Sequence, residues 1–126
     1  MGLVLDTGGL IAFDRGDRRV AALVEAARRR RDRVITSSGC VAQAWRGAGS
    51  RQALLSRLLR GTTEVGLDRR MSRITGDLCG STKTADVVDA HVALVVQDGD
   101  VVLTSDVSDV RRLLRSRDIQ AEIVHC

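Results

Sequence analysis

The stretch from Thr84 to Asp106, TADVVDAHVALVVQDGDVVLTSD, limits what this chain can fold into. Val87, Val88, Val92, Ala93, Val95 and Val96 predict a mostly buried helix, which Gln97-Asp98-Gly99-Asp100 ends. Val101-Val102-Leu103 is then a short β-branched run of the kind a buried strand needs, and it stops at Thr104-Ser105-Asp106. Asp86 and Asp89 are three apart, and at about 3.6 residues per turn both carboxylates can face one side of the helix. A buried helix that opens on two acids, followed by a strand that closes on a third, is poor core filling. Carboxylates buried near one another are costly unless a cation neutralises them.

The same grammar runs through the rest of the chain. Gly2-Leu3-Val4-Leu5 is a short apolar run ending in Asp6, and after Thr7-Gly8-Gly9 a helix runs through Leu10-Ile11-Ala12-Phe13. Asp17 can cap a second helix, with Val20, Leu23, Val24 and Ala27 at helical spacing. It closes in Arg28 to Arg31, where cations suit a helix C-terminus and form a solvated face. Arg33-Val34-Ile35-Thr36 reads as a strand, and Ser37 or Ser38 can cap a helix from Cys40 to Arg46. Gly47-Ala48-Gly49 predicts a break before Ser50 and an amphipathic helix bearing Leu54, Leu55, Leu58 and Leu59. A strand over Thr62 to Leu67, a helix over Asp68 to Leu78, a helix with Val110, Leu113 and Leu114, and a last edge strand over Ile119 to Val124 complete the pattern. The alternation predicts one α/β domain over residues 1–126, a three-layer α/β/α sandwich around a mostly parallel sheet.

In such a sheet ligands bind at the carboxyl ends of the strands. Asp6 and Asp106 sit at two such ends, and Asp86 and Asp89 begin the helix before the second strand. An all-oxygen set of this kind favours Mg²⁺ or Mn²⁺. No HExxH, P-loop or GxGxxG occurs, and the two histidines make no zinc site with any cysteine pair. His91, nearly opposite Asp89 on a helix, reads as packing or surface, and His125 carries no signal. The net charge of +4 and pI near 9.7 come almost wholly from Arg, with Lys83 the only lysine. An acidic pocket in a basic surface suits a metal-dependent enzyme acting on a polyphosphate, and a plain solvated surface accounts for the charge equally well. No apolar run approaches the roughly 20 residues that span a bilayer, no signal-peptide layout opens the chain, and Cys40, Cys79 and Cys126 form no CxxC. The expectation is a cytoplasmic protein with reduced thiols and no membrane partner.

Four pieces, LVLDTGGLIAF, SSGCVAQAWR, DVVDAHVAL and VVLTSDVSDVRRL, together resemble the PIN-domain family, and within it the VapC toxins of bacterial toxin–antitoxin pairs. Their order and spacing cover nearly the whole chain. The resemblance implies a Mg²⁺- or Mn²⁺-dependent endoribonuclease that hydrolyses RNA, forms a homodimer and is covered by a cognate antitoxin. Asp6 matches the family's first acid, Asp89 the acid of its "DA" motif and Asp106 the acid of its "TxD" motif. The family's remaining acid is usually a Glu on the third helix, and here that position is Gln43, which can orient water but supplies no charge. Asp86 is the expected substitute in the catalytic and metal set, with Asp109 a more distant candidate. Thr7, Thr104 and Ser105 can hold carboxylates or a bridging water near substrate, or serve as strand-end caps. Arg46, three residues after Gln43, should share its face and could hold a phosphate, whereas Trp45 should point into the core. The alternative is a catalytically weak PIN-fold protein that binds RNA or an antitoxin. A dehalogenase-like phosphatase would need an acid where Gly8 stands, and a response-regulator receiver would need a late Lys that Lys83 does not supply.

Overall fold

The computed structural model describes residues 1–47 and 51–126, so Ala48 and Gly49 of the predicted break, and Ser50 after it, lie outside the described residues. Its elements are β1 (Gly2–Leu5), α1 (Thr7–Asp14), α2 (Arg18–Arg29), β2 (Arg33–Ser37), α3 (Ser38–Ala44), α4 (Ala53–Arg60), β3 (Thr63–Val65), α5 (Arg69–Thr82), α6 (Val87–Val95), β4 (Val101–Thr104), α7 (Val107–Ser116) and β5 (Glu122–His125). The strands form one sheet, ordered β3-β2-β1-β4-β5, and every pairing is parallel. β1 is central, with all four residues buried; Leu5 stands opposite Thr36 on one side and Leu103 on the other. Strands buried on both faces need no polar alternation, which explains the unbroken apolar runs.

Local chemistry starts most of the helices. Asp17 accepts the Val20 N–H at 3.0 Å, Ser37 that of Gly39 at 3.1 Å and Asp68 that of Met71 at 2.7 Å, each filling an orphan donor of a first turn. α4 has no cap of its own, and Asp14 from the end of α1 accepts its Leu55 N–H instead. At the far end of α6, Arg117 donates to the carbonyl of Ala93 at 2.6 Å. Expectation and structure differ at several boundaries; β3 spans only Thr63–Val65, and β5 starts at Glu122 rather than Ile119. α5 runs on to Thr82, past Leu78, and ends with Lys83 in the left-handed region. α3 stops at Ala44, because Trp45 turns to extended backbone. Asp86 caps α6 rather than lying within it.

Helix packing separates two groups: α1 contacts α2, α3 and α4, whereas α6 contacts α5, α7 and β2. Leu5, Leu10, Leu55, Leu58, Val102 and Leu103 are fully buried between sheet and helices, and Trp45 packs partly buried against them. Each such side chain contributes ~1.5–3 kcal/mol of burial. His91 is fully buried too, with Nδ1 2.7 Å from the Ser37 hydroxyl, so it fastens α6 to the end of β2. Burial holds its imidazole below the ordinary range, hence neutral.

This strand order positions the site. The chain winds β1, β2, β3 in one direction and then crosses to β4 and β5 on the other side of β1. Helices therefore leave β1 and β4 toward opposite faces, opening a crevice at the carboxyl ends of that pair. Asp6 follows β1 there, and Asp106 follows β4.

Candidate active site

Asp6 is 5% exposed and caps α1, accepting the Gly9 N–H at 3.0 Å with Oδ1. Its other oxygen accepts the Thr104 hydroxyl, and the same hydroxyl accepts the Asp106 N–H at 2.9 Å. Thr104 is fully buried and thus joins the two strand ends. Its hydroxyl serves Asp6 and the Asp106 backbone, the carboxylate-holding role expected of Thr104. Beside it Ser105 is exposed and packs against Gly8, where an added Cβ would collide with the Ser105 side chain. Gly8 is what lets the two loops approach so closely.

Asp89, Asp106 and Asp109 present carboxylate oxygens that all lie within 4.8 Å of one another. Asp89 is the third residue of α6 and Asp109 the third residue of α7. Side chains in a first turn tilt toward the helix N-terminus, which aims both into the crevice. Asp106 is the cap residue of α7 yet makes no side-chain cap hydrogen bond, so its carboxylate is left for the cluster. Asp6 stands just behind, close enough for its charge to act on Asp89.

The remaining expected residues are dispersed differently. Asp86 is exposed and its Oδ1 accepts the Asp89 N–H at 2.9 Å; it acts on Asp89 by charge from outside the group of three. Gln43, exposed on α3, accepts the hydroxyl of Thr7 at the start of α1. Arg46 lies beyond the end of α3, so helical spacing no longer places it on the Gln43 face. Its guanidinium folds back to the carbonyl of Trp45 at 2.8 Å. Asp109, a more distant candidate from sequence, joins Asp89 and Asp106 in the group of three, where Asp86 does not. Its three-residue spacing from Asp106 repeats that of Asp86 and Asp89, and this repeat is the signal that could have raised it.

The electrostatics mark the cluster as short of positive charge. Burial, then the charges of Asp86, Asp106, Asp6 and Asp109, push the Asp89 carboxyl up to about 7. Burial also raises Asp6, opposed by the Thr104 hydroxyl and by the N–H groups of Gly9 and Gly8, with the Asp106 charge adding to the rise. Asp109 is raised chiefly by its hydrogen bond to Asp106. All-oxygen donors at this spacing, held in a strand-end crevice and repelling one another, fit a small divalent cation such as Mg²⁺ or Mn²⁺.

No protein-family model matches the chain, and no curated protein matches it. Among solved structures it is similar to a chain of VapBC2 from Rickettsia felis, crystallised bound to a DNA fragment from their promoter. The TM-score is 0.70 over 98% of both chains, at 12% sequence identity. At that identity the likeness is one of fold, and the fold of this chain is the PIN-like α/β/α sandwich with a five-stranded, all-parallel sheet.

Proposed function

We propose that the chain is a Mg²⁺- or Mn²⁺-dependent endoribonuclease acting as the toxin of a toxin–antitoxin pair. The observation that carries this reading is the convergence of Asp89, Asp106 and Asp109, backed by Asp6, at the crevice between β1 and β4. The fold likeness to a VapBC2 chain supports an antitoxin partner, and the family resemblance supports a homodimer and an RNA substrate. No helix among the described residues is long and apolar enough to cross a membrane.

Asp89, Asp106 and Asp109 would hold the cation, with Asp6 behind them. When bound, it supplies charge neutralisation at the phosphodiester and a lowered water pKa near neutral pH. The chain's own groups do the positioning. Thr104 locks the Asp6 carboxylate and the Asp106 backbone into one unit, and His91 with Ser37 holds α6, and so Asp89, against the end of β2. Preorganised carboxylates need no rearrangement as charge develops on the phosphate. The excess of Arg over acids draws a polyanion toward the crevice.

The test is cleavage of single-stranded RNA by the purified chain with Mn²⁺. Cleavage should cease with a chelator and fall steeply in Asp106→Asn, and expression of the wild type alone should arrest bacterial growth while Asp106→Asn relieves it. Equal arrest and no cleavage by either form would overturn the enzymatic reading. The uncharged Gln43, turned onto Thr7, favours a second reading in which the domain binds RNA or an antitoxin with little turnover. Tight RNA binding without cleavage at saturating Mn²⁺ would select it.

A further inference from the structure

A groove of about 530 Å³ opens at Ser105, the residue before Asp106, and is lined by Gly8, Ile11, Ala12, Arg15, Asp17 and Ser105, among others. Gly8, Ile11, Ala12 and Arg15 recur at the spacing of a single helix face, so the floor is one side of α1. One end lies at Ser105, between Thr104 and Asp106, and the other at the α1–α2 turn. Gly16, with φ +80° and no atom within 4 Å of where a Cβ would sit, makes that turn and leaves the groove open. Cys126 borders the groove, and its N–H donates to the carbonyl of Thr104, the residue that holds Asp6, at 2.9 Å.

We propose that this groove is a nucleobase subsite that seats a guanine of the RNA strand next to the cleaved phosphate, an assignment that rests on the nuclease reading above. Its size falls within the range of small-ligand pockets, roughly 300–1,000 Å³. Ile11 and Ala12 offer an apolar floor for a base plane, in a chain with one Phe, one Trp and no Tyr to stack on. Arg15 makes no ion pair among the described residues, which leaves its guanidinium available. Asp17 uses Oδ1 for the Val20 N–H and keeps its second oxygen to accept from a ligand. A guanidinium matches the adjacent O6 and N7 acceptors of guanine, and a carboxylate matches its N1–H and N2–H₂ donors. Adenine and uracil lack both of those pairs, and cytosine lacks the donor pair. The end of the groove at Ser105, next in sequence to Asp106, is the reason for choosing a base of the cleaved strand over a peptide.

The experiment has a binding arm and a cleavage arm. In amide NMR titrations without added metal, 5′-GMP should bind more tightly than AMP, CMP or UMP and shift Gly8, Ala12 and Gly16. Arg15→Ala should weaken GMP roughly fivefold or more, the loss of one bidentate base contact, and leave Mn²⁺ affinity unchanged. Ala12→Leu, which fills the floor, should weaken all four nucleotides. In oligonucleotides with a single G, Arg15→Ala should lose the preference for cleavage beside G through KM while kcat holds. Cleavage with no base preference, or a preference that survives Arg15→Ala, would overturn the subsite and leave the nuclease standing. GMP bound in the groove by a protein that cleaves no RNA would keep the guanine site and overturn the nuclease. Loss of a dimer in Ala12→Leu, with no nucleotide shifts in the wild type, would assign the groove to a second copy instead.

Discussion

Two helices of this protein begin with the same four-residue pattern, an Asp cap followed three residues later by another Asp. At α6 the pair is Asp86 and Asp89; at α7 it is Asp106 and Asp109. Asp86 does what a cap residue ordinarily does, spending an oxygen on the Asp89 N–H and facing solvent. Asp106 occupies the same position and does not cap; its carboxylate turns to Asp89 and Asp109. The difference begins one element upstream. Thr104, held by Asp6, takes the Asp106 N–H and fixes the backbone entering α7, whereas the Asp86 N–H goes to Thr84 at 3.2 Å in an exposed loop. A cap surrendered to a cluster of like charges is a local cost that stability alone would not select.

The comparison is broken most easily at the two caps. Asp106→Asn should lower RNA cleavage by about 10²–10³-fold, the scale of removing a preorganised electrostatic group, while Asp86→Asn should stay within about threefold of wild type. Measured rates that fall equally in both would mean that the caps are equivalent and that the observed geometry does not matter.

A smaller effect is expected on metal affinity. Asp109→Asn should weaken Mn²⁺ binding in calorimetry about tenfold, or ~1.4 kcal/mol, and Gln43→Ala should leave it unchanged because its carbonyl serves Thr7. If Gln43→Ala instead abolishes binding while Asp109→Asn is silent, the fourth carboxylate has been placed on the wrong helix.

Stability should separate the caps in the opposite sense. Asp86→Ala removes a used cap and should cost ~1 kcal/mol in urea denaturation. Asp106→Asn removes a charge from a repelling group and no cap bond, so the metal-free protein should become slightly more stable. Destabilisation by Asp106→Asn would show that its carboxylate holds the fold together.

A further effect is in pH. The folded Asp89 carboxyl sits near 7, above its ordinary 3.8, so the folded state binds its proton more tightly than the unfolded chain. Stability of the metal-free protein should therefore fall as pH rises from about 4 to about 7, and stay at the lower level beyond. Partial solvent screening keeps this modest. Thermal melts across that window should show the slope in the wild type, a flatter one in Asp89→Asn, and its loss with saturating Mn²⁺. A melting temperature that rises through the window would reverse the sign and remove the case for a charge-starved cluster.

Sequence alone determined the elements and most of their beginnings. Short β-branched runs, helical apolar spacing and Asp or Ser caps are local signals, and the strands and helices formed where those signals lie, to within a few residues. That Asp6, Asp89 and Asp106 stand at strand ends or a helix start was legible for the same reason. Tertiary structure alone decided the strand order, which sets β1 beside β4 across 98 residues and lets Thr104 reach Asp6. It also brought Asp109 rather than Asp86 beside Asp89 and Asp106, although the two pairs have identical sequence spacing, and ended α3 before Arg46 could share the face of Gln43. Local patterns cannot make those choices, because each depends on which apolar faces pack together, and packing couples residues that the chain itself keeps far apart.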